Sequence, residues 1–204
     1  DTVKVEDGFR KVYGPVLWYA STSADSKEDA WEDAVEQTQK EIAKWPYEWM
    51  KEEQHASDCR SSLKGSFSVK NSTINRTVKN DLTVDDSIGW AVLSDMRSVS
   101  WQKDNTYYEF YAPIKQDGTF EIENIIPGTY RLNVNVNGVF GEYTQESIVI
   151  GNSESIDLGE IVWDDPIYGE TLWSIGIPDR TAEEYYRGTP YRYWGAHLLF
   201  NTLF

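Results

Sequence analysis

The sequence predicts a mainly β chain. A β-sandwich of seven short strands fills residues 61–165, with a strand and one amphipathic helix before it and a short aromatic-rich segment after it. Three observations carry this reading. Between Gly65 and Trp163 apolar residues recur at a period of two, as in Phe67/Val69 and Leu132/Val134/Val136, which is the spacing of half-buried strands. Turn signals divide these runs at Asp117-Gly118, Pro127-Gly128 and Asn137-Gly138. Helical three-and-four spacing is clear in one place, residues 26–54.

The elements follow in chain order. In residues 1–25, Val12, Tyr13 and Val16 to Tyr19 read as an extended strand interrupted by Gly14-Pro15, a position that suits an edge strand or a bulge. Ser26 with Asp29 three residues on resembles a capping box. Trp31, Ala34, Val35, Thr38, Ile42 and Trp45 then share one helix face, and Pro46 is expected to end or kink the helix at Trp45. Such a stripe needs a surface to pack on, and residues 1–25 are too few to supply it. Trp45, Tyr47 and Trp49 have the flat rings of a sugar platform, but they also suit a helix pinned onto a larger body, which is the preferred reading.

The seven expected strands are Ser66–Lys70, Gly89–Ser94, Thr106–Ala112, Thr119–Ile122, Thr129–Val136, Glu142–Ile150 and Asp157–Trp163. Seven strands with turns between them fit a sandwich of about 100 residues. Asp117-Gly118 and Asn137-Gly138 suit hairpin turns that need positive φ, and Pro127-Gly128 suits a type II turn. Residues 166–204 change character again. They are too few to fold alone, and they read as the opening of a further domain. The domain division is therefore 1–60, 61–165 and 166–204. The chain starts at Asp1 without Met and reads as a piece of a longer, processed polypeptide.

Composition excludes several functions. Lys and Arg number 19 against 34 Asp and Glu, a formal net charge of −15 over 204 residues, the wrong sign for a nucleic-acid groove. No apolar run reaches the length of a membrane span. A lone Cys59 forbids an internal disulfide and, with the distant His55 and His197, gives no Cys/His zinc site. Cys59 is either a small buried hydrophobe or the partner of a cysteine elsewhere. His55 follows a polar stretch and reads as a surface residue. Asp85-Asp86 and Asp164-Asp165 have the oxygen chemistry of calcium ligands and are read as solvated loops, so neither a metal nor a cofactor is expected. No facing carboxylate pair for glycoside hydrolysis can be placed, and Gly-x-Ser-x-Gly is absent.

Nine Trp and thirteen Tyr point to planar surfaces, packed inside or offered to sugars. Tyr185, Tyr186, Tyr191, Tyr193 and Trp194, interleaved with Arg187 and Arg192, are the candidate sugar contacts, since flat rings stack on sugar faces and Arg binds a carboxylate in a bidentate way. The competing reading is an aromatic linker between domains. Sequons at Asn71 and Asn75 suggest glycosylation of a secreted, extracellular protein.

Motifs in the second half resemble a known family. Residues 117–132, from Asp117-Gly118-Thr119-Phe120 to Tyr130-Arg131-Leu132, resemble the hairpin of transthyretin-like sandwiches. Five further features are similar, in order and spacing, to the rhamnogalacturonan lyases of polysaccharide lyase family four: Gly138 through Gly141-Glu142-Tyr143, Leu158-Gly159, Trp163, Tyr168-Gly169, and Leu172 through Ile177-Pro178-Asp179-Arg180. Lys11-Val12-Tyr13-Gly14-Pro15 and Trp45-Pro46-Tyr47 resemble the end of that family's catalytic domain. The resemblance implies a fibronectin-type-III-like middle sandwich followed by the start of a jelly-roll domain resembling carbohydrate-binding modules. It implies an enzyme that cleaves the pectin backbone by β-elimination, in which a base removes the C5 proton of a galacturonate and the O4 leaving group departs. The implied catalytic residues fall outside this chain, so none is assigned and the chain alone is expected to be inactive. The implied partners are the remainder of the lyase polypeptide and an acidic plant cell-wall polysaccharide. Two alternatives remain open: a non-catalytic carbohydrate-binding or domain-spacing sandwich, and an interaction protein of lyase ancestry.

Overall fold

The computed structural model describes residues 7–14, 16–21, 25–51, 56–70, 87–104, 106–164, 172–173 and 175–176. Seven strands form two sheets: β1 (Ser61–Lys70), β2 (Gly89–Asp95), β3 (Glu109–Ile114), β4 (Thr119–Ile125), β5 (Gly128–Val136), β6 (Tyr143–Ile150) and β7 (Ser155–Asp164). One sheet has the order β4-β1-β7 and the other β3-β2-β5-β6. All pairings are antiparallel except β1 with β7, the first and last strands, which run parallel.

The alternation seen in the sequence sets the core. Leu63, Phe67, Leu93, Ile114, Phe120, Ile122, Leu132, Val134 and Ile161 are buried between the sheets. Burying each Leu, Ile or Phe contributes about 1.5–3 kcal/mol. Three strands shift their alternation by one residue, each at a bulge whose residue has positive φ. In β4 the shift falls at Asn124 (φ 58), where Ile122 and Ile125 both point inward. In β6 it falls at Ser147 (φ 62) and in β7 at Gly159 (φ 67). One extra residue thus returns the apolar side chains to the core after each step.

The turns refine the expectations. Gly118 has φ +83, and a Cβ there would lie 2.6 Å from the Phe67 carbonyl oxygen. The Asp117 carboxylate caps this turn by accepting from the Thr119 N–H and hydroxyl at 2.9 and 2.7 Å. Gly138 has φ +86, but it lies in a loop of six residues between β5 and β6 rather than a two-residue hairpin. Pro127-Gly128 does not form the expected type II turn, because Gly128 lacks positive φ and opens β5. The corner is held instead by the buried Tyr130, whose hydroxyl donates to the Ile126 carbonyl at 2.7 Å, the geometry of a tyrosine corner.

The helix, α1, spans Lys27–Lys44, shorter than the expected 26–54. The Ser26 side chain accepts the Asp29 N–H at 3.1 Å, and Trp45 is the C-cap. Pro46 cannot continue the ladder, so residues 46–51 leave the helix. No helix residue is buried: Trp31, Val35 and Ile42 are 71%, 43% and 61% exposed, so the stripe has no cover among the described residues. The expected strand around residues 12–19 is not formed either. Residues 9–14 and 16–20 have no regular secondary structure, and Gly14 at φ +122 turns the chain.

Candidate functional site

An open groove of about 1300 Å³ lies where residues 7–12, the β2–β3 connection and the tyrosine corner meet. Aromatic and cationic side chains build it together. Lys11 Nζ donates to the Tyr107 carbonyl at 3.0 Å and sits 5.4 Å from the Tyr108 ring centre and 5.3 Å from that of Tyr13. The Tyr108 hydroxyl accepts the Val12 N–H at 2.7 Å, and the Phe9 ring meets Tyr107 edge-on at 6.1 Å. Residues about 96 positions apart thereby share one wall.

Arg97 lines the groove as well. Its guanidinium lies 4.3 Å from the Tyr107 ring centre and grips Asp95 through two bonds of 2.9 and 2.8 Å. Burial pulls the Asp95 carboxyl upward, but the bonds from Arg97 outweigh it and hold the group below the usual carboxylate range. Behind Lys11, burial and the nearby Asp104 push the Glu109 carboxyl up. The floor is the corner itself, where burial raises the Tyr130 hydroxyl well above its ordinary value.

A smaller hollow of about 480 Å³ lies on the outer face of the four-stranded sheet. Trp101 walls it, its indole N–H donating to Glu142 at 3.0 Å. Asn133, almost fully buried, donates to Ser94 Oγ at 2.9 Å, and Arg131 pairs with Glu146 at 3.2 Å.

Trp45, Tyr47 and Trp49 face one another rather than forming an open shelf. Trp45 and Tyr47 meet edge-on at 5.7 Å, and Tyr47 and Trp49 stack at 5.3 Å. The Arg60 guanidinium lies 5.0 Å from the Trp45 ring and donates to the Asn124 carbonyl at 2.6 Å, which ties the segment after the helix to β4. Trp45 and Trp49 remain 36% and 65% exposed.

The candidate sugar contacts Tyr185, Tyr186, Arg187, Tyr191, Arg192, Tyr193 and Trp194 lie outside the described residues. So do the sequons at Asn71 and Asn75, both histidines, and Asp85, Asp86 and Asp165. Among the described residues no three His, Cys, Asp or Glu side chains gather as a metal cluster, and no helix is long and apolar enough to cross a membrane. The groove of Phe9, Lys11, Arg97, Tyr107 and Tyr108 was not foreseen. Its one signal was aromatics beside cations in Phe9-Arg10-Lys11, and nothing in the pattern announced the long-range partner at Tyr107-Tyr108.

The two sheets and their tyrosine corner define a fibronectin-type-III-like β-sandwich. Residues 85–158 match the family model described as polysaccharide lyase family 4, domain II. Among curated proteins, "Rhamnogalacturonate lyase B" of Emericella nidulans is 32% identical over 81 residues, covering 40% of this chain and 12% of that protein. "Probable rhamnogalacturonate lyase C" of Aspergillus oryzae is 32% identical over 80 residues, covering 39% and 11%. The matched stretch is thus about an eighth of these relatives' length. Among solved structures, a type II cohesin–X-dockerin complex from Acetivibrio cellulolyticus aligns at a TM-score of 0.31 and 12% identity, covering 50% of this chain and 56% of that one, too slight a likeness to bear on function.

Proposed function

We propose that this chain is a non-catalytic portion of a secreted rhamnogalacturonan lyase, an enzyme that cleaves the pectin backbone by β-elimination. Residues 61–165 are its fibronectin-type-III-like middle domain. Residues 1–60 belong to the end of the catalytic domain, and residues 166–204 open a jelly-roll domain. The observation that carries the reading is the domain II match over 85–158, joined to relatives named as rhamnogalacturonate lyases. The uncovered stripe of α1 supports it, since those side chains need a neighbour. The sandwich's part is to hold its neighbours at a fixed separation, with catalysis elsewhere in the lyase.

The test is absorbance from unsaturated uronate ends on a rhamnogalacturonan backbone. The full-length parent protein is expected to produce it and these 204 residues alone to produce none. Cleavage by the isolated chain overturns the assignment of catalysis elsewhere; a parent that neither cleaves nor binds the polymer overturns the lyase reading.

A further inference from the structure

We infer that the groove between residues 7–12 and the tyrosine corner binds an acidic saccharide, its sugar rings against Phe9, Tyr107 and Tyr108 and its carboxylates toward Arg10, Lys11 and Arg97. Three observations converge. The first is charge: Arg10, Lys11, Lys51 and Arg97 line the groove against Asp7 and Asp95, a local excess of cations in a chain of net charge −15. Asp104 and Glu109 do not line the groove, but Glu109 is near enough to feel Lys11, so the excess is confined to the lining itself. Binding of an anion is governed by local charge, not by the total.

The second is pre-organisation. Arg97 is fixed by two bonds to Asp95 and by the Tyr107 ring, and Lys11 is fixed by the Tyr107 carbonyl and two rings. Side chains already held in place lose little freedom when a ligand arrives. The third is shape. The groove is open and mixed in character, with flat rings among polar groups, and at about 1300 Å³ it has room for several sugar units. The choice of a saccharide among anions rests on the lyase reading above.

The experiment is an NMR titration of the full chain with trigalacturonic acid, galactotriose and inorganic phosphate in parallel. Saturable shifts at Lys11, Tyr107 and Tyr108 with the acidic sugar alone are expected. Lys11→Met and Tyr107→Ala are each expected to weaken binding about tenfold, while Lys64→Met, which removes a cation from the other sheet, leaves it unchanged. Thermal midpoints verify folding, and Arg10→Gln, at an exposed position, serves where Tyr107→Ala unfolds. No saturable shift up to about 10 mM overturns the proposal, as does equal binding of galactotriose or phosphate, or binding that all three groove variants leave intact. The lyase assay on the parent is scored separately. An active parent without groove binding removes this site and keeps the lyase reading; an inactive parent with groove binding does the reverse.

Discussion

Tyr130 shows how one side chain can hold a corner. Its ring is buried in the core and its hydroxyl donates to the carbonyl of Ile126. Tyr130→Phe leaves that carbonyl unpaired, and a loss of about 1–3 kcal/mol in urea unfolding is expected. The same burial raises the folded-state pKa of the hydroxyl above its unfolded value. Its stabilising contribution is therefore complete below the ordinary tyrosine value of about 10 and is lost as pH climbs beyond it. Stability measured from pH 8 to 12 is expected to fall in the wild type, with a smaller fall in Tyr130→Phe. Glu109 has the same direction of shift with the opposite consequence at neutral pH. Burial disfavours its charged form, so stability is greatest below its unfolded pKa and declines as pH rises through the folded one. Glu109→Gln is expected to raise the thermal midpoint at pH 7, with the gain disappearing near pH 4. Neither residue announces its role in the sequence, because Tyr130 and Glu109 sit in strands whose alternation looks ordinary.

Helix α1 is held by local chemistry. The Ser26 cap, the Glu36–Lys40 ion pair at 2.7 Å and the Lys44, Tyr47 and Gln37 bonds to Glu41 act within or beside it. Most helical stability in proteins comes from packing of an apolar face, which α1 lacks among the described residues. Ser26→Ala is expected to weaken the helix by about 1 kcal/mol. In circular dichroism this shows as reduced helical signal with the sandwich midpoint unchanged. The start of the helix and its stop at Trp45 were legible, since a cap and a proline act through their nearest neighbours. The seven strands of the sandwich were legible too, and each overlaps an observed one. The bulges at Asn124, Ser147 and Gly159 were not, because a one-residue slip in a period of two looks like an imperfect strand. The run at residues 12–19 misled because its aromatic and β-branched residues favour extended backbone, whereas a strand also requires a neighbour to pair with.

At the scale of the whole molecule, the buried core is made by β1–β7 and their turns, with α1 contributing nothing to it. A chain reduced to residues 56–164 is expected to unfold cooperatively with a midpoint within a few degrees of the full chain, which calorimetry measures directly. The groove depends on both parts, since Lys11 and Phe9 come from outside the sandwich. That dependence is why it escaped a reading of local pattern: no spacing rule links Lys11 to Tyr107.

The parallel pairing of β1 with β7 has a mechanical meaning. The beginning of β1 and the end of β7 lie at opposite ends of one ribbon, ten residues and roughly 33 Å long. Tension pulling on those two ends would slide the strands lengthwise, straining the ladder's bonds side by side instead of unzipping them one after another. Such a brick resists stretching, and a linker of this kind can transmit force between whatever it joins before it yields.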